Sequence, residues 1–433
     1  GATPFEGSVD IERIAMNHRE RIMAALHHES GKVPIDFGST HATGMHVSCV
    51  EALRDHYGLD KHPVKVHEPY QMLGEIEDDL AEAMGTDISG FQGPKTIFGF
   101  KNENWKKFRT LWGQDVLVSE HFNTTTDEKG DILLYPQGDT SAPPSARMPV
   151  SGYFFDTIIR QEAFDEDNLN PEDNLEEFGL ISDEDLAYYV ANVERLEKLG
   201  RPIITYVGST SLGSVTAVTG PSLKHPKGIR DIEEWYISNL TRQDYLHQIF
   251  SQQCEIALEN LKRLHEVIEN KIDILFVCGS DFGTQTSTFF STETFETLYA
   301  PYYKQINQWI HENTLWKTFK HSCGSVVSLL PLFIDSGFDI INPVQCSAAG
   351  MDPKTLKAHY GDHLVFWGGG VNTQKTLPYQ TPEDVRVEVL ERCEIFSENG
   401  GYVFNAIHNV QAKTPLANIV AMINAAKEFN GEI

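Results

Sequence analysis

From residue 200 onward the chain alternates short apolar runs with longer helix-like segments, and this alternation limits the fold more than any other feature. The runs are Ile203–Val207, Ile274–Val277, Lys317–Lys320, Asp339–Ile341, Leu364–Trp367 and Tyr402–Ile407. The segments between them, Gln243–Ile268, Thr292–His311, Ser325–Asp335, Pro353–His359 and Pro382–Ser397, read as helices. Two further strand candidates, Val33–Phe37 and Asp87–Gly90, lie upstream. Strands without polar alternation are buried on both faces, as in parallel sheets covered by helices. Eight such units predict an α/β fold, a (β/α)8 TIM barrel. The expected organisation is a single barrel domain over 1–433, with an N-terminal helical segment at 11–30.

One stretch, about 100–185, breaks the alternation. Its β-type runs Thr110–Val118 and Ile132–Tyr135, with Thr125-Thr126-Asp127-Glu128-Lys129-Gly130 between them, predict a β-hairpin insertion. The acidic residues that follow (Glu162, Asp165, Glu166, Asp167, Asp173) read as a solvated loop or lid.

Barrels of this type place reactive groups at the C-terminal ends of their strands. Those ends here carry Ser209 and Ser211; Ser280, Asp281, Phe282 and Gln285; His321 and Cys323; Asn342, Gln345 and Cys346; Gly368-Gly369-Gly370 and Asn372; and Asn405, His408, Asn409 and Gln411. Ordinary loops are polar, but they do not bring this set to one face. The sharpest element is His321-Ser322-Cys323-Gly324. Residues i and i+2 of a strand share a face, so the imidazole and thiol can close on one ion. Nitrogen and sulfur are donors that zinc prefers. The alternative is that both residues simply pack, as buried cysteines commonly do.

Six cysteines scattered through 433 residues suit reduced thiols in a cytoplasmic protein rather than a disulfide framework. The acidic residues Glu6, Asp10 and Glu12 and the lack of an apolar run near them predict no secretory leader. A formal charge of −27 argues against nucleic acid and anionic membranes as partners.

Several of these stretches together resemble the uroporphyrinogen decarboxylase superfamily, and within it the corrinoid-dependent, zinc methyltransferase and O-demethylase-like branch. The likeness is carried by Asp281-Phe282-Gly283-Thr284-Gln285, His321-Ser322-Cys323-Gly324-Ser325, Asn342-Pro343-Val344-Gln345, Phe366-Trp367-Gly368-Gly369-Gly370 and Ala406-Ile407-His408-Asn409-Val410-Gln411. Arg19 to Leu26 and Val33 to Phe37 share it, and it is weakest over 100–185. Porphyrinogen decarboxylases carry an arginine-rich motif after the first strand. Here that position reads Gly38-Ser39-Thr40-His41-Ala42-Thr43-Gly44, with no arginine. A tetrapyrrole with eight carboxylates meets few cations there, in a protein of charge −27.

The resemblance implies zinc held by His321, Cys323 and a third, distant ligand. Relatives have cysteine at the third position, whereas this chain has His408, with Cys346 as the competing donor. Asp281 is then a general acid, a fourth ligand or a group that orients a ligand. Gln285, Asn342 and Gln345 are expected to hold substrate. Phe282 and Trp367 are expected to pack an aromatic ring, or else to be core aromatics. The implied reaction moves a methyl group between a small substrate, such as a methoxylated aromatic, and a corrinoid. No Asp-x-His-x-x-Gly cobalamin-binding sequence occurs, so the corrinoid is expected on a separate partner protein. A homodimer is compatible with this reading. The alternative is a metal-free decarboxylase.

Overall fold

In the computed structural model the described residues are 16–433. The first fifteen, which include part of the 11–30 segment and the acidic N-terminus, lie outside them. The core is a parallel sheet that is seven-stranded among the described residues. Its strands, in chain order, are β1 (Ser89–Gly90), β2 (Ile203–Tyr206), β3 (Ile274–Cys278), β4 (Lys317–His321), β5 (Ile340–Asn342), β6 (Val365–Trp367) and β7 (Tyr402–Val403). Consecutive strands are neighbours, in parallel register throughout.

The Val33–Phe37 segment closes the ring. Phe404 N–H donates to Pro34 O (2.8 Å) and Asp36 N–H to Phe404 O (2.9 Å), while Asp87 N–H donates to Ile35 O (2.8 Å) on the other side. The result is the expected TIM-barrel type, with an eighth member that pairs through a single bridge rather than a ladder. The last run is shorter than its apolar length suggests. Beyond Phe404 the Asn405 amide takes over, donating to Asp36 O and Thr43 O.

The barrel interior is filled by side chains from alternating strand positions. Phe276 stacks on Phe319 at 4.9 Å, and Phe319 meets Trp367 edge-on at 5.4 Å. Ile204, Ile274, Ile340, Val365 and Val403 complete the packing, and Ile22, Ala25 and Leu26 of the helix His18–Leu26 plug its lower end.

Helix Gln243–Ile268 has its expected bounds. The expected helix over Thr292–His311 is two, Thr292–Leu298 and Ala300–Asn313, because Pro301 has no N–H to continue the first and suits the start of the second. For the same reason the helix ending at Asp335 starts only at Leu330, beside Pro331.

The insertion is larger and more complex than one hairpin. It begins at Val64–Glu68, which joins Leu73–Gly74, Asp115–Val118 and Lys106–Arg109 in a four-stranded sheet. Thr110–Val118 is not one strand: a turn at Thr110–Gly113 reverses the chain, with Gly113 N–H donating to Thr110 O at 3.0 Å. A second four-stranded sheet is built from Thr124–Thr126, Ile132–Leu134, Ala146–Met148 and Asp156–Thr157. The acidic stretch is not a free loop either. Glu177 pairs with the buried Arg230, Glu166 pairs with Arg242, and Asn174 and Leu175 are buried.

Candidate metal centre

Loops after β3, β4 and β7 converge at the barrel mouth. His321 ends β4, and Gly324 turns the chain immediately after Cys323 with φ of 84°. A Cβ at Gly324 would lie 2.5 Å from the Gly283 carbonyl carbon, so only glycine lets these two loops touch. Across that contact Asp281 Oδ1 accepts the Cys323 N–H at 2.8 Å. Three donor contacts define the centre: Cys323 Sγ to His321 Nε2 at 3.5 Å, Cys323 Sγ to His408 Nδ1 at 3.5 Å, and His321 Nε2 to Asp281 Oδ1 at 3.6 Å.

These separations test the fit of a metal. Donors around a tetrahedral zinc, at about 2.0–2.1 Å for nitrogen and about 2.3 Å for sulfur, stand about 3.5 Å from one another. The contacts among Asp281, His321 and Cys323 suit that spacing, and these three donors form one mutual cluster, which His408 reaches through Cys323 Sγ. The ring of His321 is also oriented for it. Its Nδ1 lies 2.6 Å from Asn342 Oδ1, while Asn342 Nδ2 donates to Trp367 O at 2.7 Å. The amide therefore accepts from Nδ1–H and leaves the Nε2 lone pair facing Cys323.

Burial sets the charge states. It lowers the pKa of His321 against the opposing effect of Asp281, and lowers that of His408 to about 4 with help from His321. Both imidazoles are neutral, the form that binds metal. Burial, reinforced by Asp281, pushes the Cys323 thiol well above its ordinary range. A bound dication would reverse that, since a coordinating thiol is deprotonated. Cys346 takes no part: its thiol donates to Val344 O at 3.4 Å, and burial raises its pKa to about 12.

Asp281, His321, Cys323 and His408 open onto a cavity of about 1480 Å³ that runs from the mouth to the insertion. The residues expected to hold substrate do not line it. Asn342 is fully buried and orients His321. Gln345 accepts the Gly324 N–H at 2.9 Å and donates to Gln285 Oε1 at 2.9 Å, which ties three loops together. Phe282 is buried among Phe290, Phe295 and Tyr299, with the Lys320 ammonium 4.6 Å from its ring. Trp367 belongs to the barrel interior, and its indole N–H donates to Asp36 Oδ2 at 2.9 Å.

The cavity wall instead presents His41, His67, Glu68, Gln92 and Tyr206. His41 and Tyr206 stand at strand ends, so the rim argument could have found them. His67 and Glu68 lie on a strand of the insertion, whose topology the sequence leaves unread. Asn409, which the rim does include, serves position rather than chemistry. It accepts the Gly44 N–H at 2.6 Å and donates to His41 O and Gln71 Oε1, both at 2.8 Å, which fixes the loop carrying His408.

Comparison with known proteins agrees with this fold. The chain matches the solved structure of a methyltransferase from Methanosarcina mazei with a TM-score of 0.52 at 14% identity, over 96% of this chain and 99% of that one. It resembles the uroporphyrinogen decarboxylase of Psychromonas ingrahamii at 30% identity over 106 residues, 23% of this chain and 29% of that protein. That of Coxiella burnetii is 25% identical over 89 residues, 20% of this chain and 24% of that protein. The match thus spans less than a third of either curated relative. No helix among the described residues is long and apolar enough to cross a membrane. The uroporphyrinogen decarboxylase (URO-D) family model matches residues 160–429, strands β2 to β7 with all the donors of the centre, and the chain belongs to that family.

Proposed function

We propose that this family member is a methyltransferase that moves a methyl group between a small methylated substrate and a corrinoid carried by a separate protein. Its metal would be a zinc ion bound by His321, Cys323 and His408. The observation that carries the reading is the spacing of Cys323 Sγ from His321 Nε2 and from His408 Nδ1, 3.5 Å each, in the wall of a large cavity. Zinc would supply Lewis acidity toward the substrate heteroatom, which makes a poor leaving group competent.

The remaining work falls to the chain's own side chains. Asn342 holds His321 in the ligating tautomer. Asp281 anchors the Cys323 backbone through Oδ1, and its other oxygen makes no hydrogen bond among the described residues. That oxygen serves as the proton carrier to the departing alkoxide or phenoxide. The cavity exceeds the usual volume of a small-ligand site, roughly 300–1000 Å³, and so leaves room for a second reactant beside the substrate.

The test is metal analysis of untagged protein, followed by methyl transfer from methoxylated aromatics to cob(I)alamin. One zinc per chain and methylcobalamin formation are expected. Zinc-free protein that decarboxylates uroporphyrinogen would replace this reading with the decarboxylase alternative.

A further inference from the structure

His41 is a titratable group in the cavity wall that the proposed chemistry does not use. It stands in the loop Gly38–Gly44, which lies directly on β1. A Cβ at Gly90 would fall 1.8 Å from Ser39 O, so glycine there is what seats the loop. Asn409 and Gln71 then hold the His41 carbonyl, at 2.8 and 3.3 Å. The ring leans on Phe276 (4.9 Å) and Tyr206 (5.3 Å), while His321 stacks near Phe276 at 6.3 Å. One phenyl ring therefore separates the wall histidine from the first metal donor.

The two ring nitrogens of His41 differ. Nδ1 lies 3.1 Å from Gln92 Oε1, so it carries the proton and donates. Nε2 has no hydrogen-bond partner among the described residues and points toward Gly279, where a Cβ would lie 3.9 Å away. Both His41 and Gly279 line the cavity. Burial keeps the imidazole neutral, with a pKa of about 4. Nε2 is thus a fixed acceptor open to the cavity, beside Tyr206, whose ring meets the imidazole at 64°, in a cavity that Trp105 and Tyr188 also line.

We propose that His41 is the substrate-positioning residue, and that its Nε2 accepts a hydrogen bond from the hydroxyl of a hydroxylated aromatic ring whose methoxy group faces the metal donors. The methoxy assignment rests on the methyl-transfer reading, whereas the hydroxyl recognition does not. A site built to accept from a hydroxyl discriminates against the analogue that lacks it, because the acceptor is left unpaired.

The probes are 2-methoxyphenol and 1,2-dimethoxybenzene, which differ by one O–H. Calorimetric titration of the full chain is expected to show the phenol binding about tenfold tighter, equivalent to about 1.4 kcal/mol. In His41→Phe the preference disappears while zinc content matches wild type, which shows the centre is still assembled. His41→Gln, which keeps an acceptor, restores part of the preference. The proposal fails if wild type binds neither probe, if it binds both equally, or if His41→Phe keeps the preference. Zinc-free wild type that still prefers the phenol would sink the methyl-transfer reading and leave His41 as assigned.

Discussion

At the N-terminal end of the barrel, aspartates stand one or two residues before three alternate strands. Asp87 precedes β1, Asp273 precedes β3 and Asp339 precedes β5. Each accepts a backbone N–H from the neighbouring segment: Ile35 at 2.9 Å, Ile203 at 3.1 Å and Thr318 at 2.8 Å. Each also meets a basic side chain from a helix: His18, Arg19 and His311 at 2.6, 2.6 and 2.7 Å. At the C-terminal end Asp281 likewise takes a backbone N–H, but its partner is the neutral His321, and Glu68 takes only the backbone N–H groups of Tyr70 and Gln71. Carboxyl groups are thus matched by helix side chains at one end and left without such partners at the other. The matched end ties strands to helices, and on the proposed reading the unmatched end would hold charge in reserve for a cation or a proton.

This contrast breaks if variants at the two ends fail in the same way. The largest effect is expected for Cys323→Ala, which should lower zinc affinity at least about a thousandfold with little change in urea midpoint, since it removes the shared donor of the centre. Elemental analysis after dialysis reads the first quantity and denaturation of the metal-free protein the second. Asp273→Ala should do the reverse. It strands the Ile203 N–H and unpairs Arg19, costing about 2–3 kcal/mol in urea unfolding while zinc stoichiometry stays at one.

Asn342→Ala sharpens the comparison. It leaves all donors in place but frees the His321 ring, so zinc affinity should fall about 10–100-fold in a chelator competition. The smallest effect concerns Glu68, whose carboxyl is lifted by burial from its ordinary 4.5 to about 7. The folded state holds this proton more tightly than the unfolded chain. Its contribution is therefore fully present below about pH 4.5 and is lost as pH rises through about 7. Thermal melts across that range should decline less steeply in Glu68→Gln than in wild type. Identical slopes would place Glu68 with the matched carboxylates.

The barrel was legible because Ile274–Val277 and its counterparts are apolar on both faces, which only a helix-covered parallel strand needs. The His321/Cys323 pair was legible because two positions along a strand fix a shared face. The spacing of 85 residues to His408 carried no such geometry, and the choice between it and Cys346 needed the ring to close. Asn342 and Gln345 show the limit from the other side. Their type and place at strand ends fit substrate binding, yet amides there serve a neighbouring loop equally well, and tertiary contacts decide. In the insertion, Thr110–Val118 reads as one extended run because its turn contains Leu111 and Trp112, residues that ordinarily mark strands.

The clasp between Asn409, Gln71 and His41 joins the opening loops of the barrel to its last one. A growing polypeptide exposes His321 and Cys323 well before His408 is synthesised, and His408 acquires its position only when the final strand seats beside Ile35. With zinc bound as proposed, tight ion uptake is thus coupled to completion of the ring. A chain interrupted before β7 would carry Asp281, His321 and Cys323 but lack His408, and on the zinc reading would hold the ion more weakly, so that retention of the ion would report finished assembly.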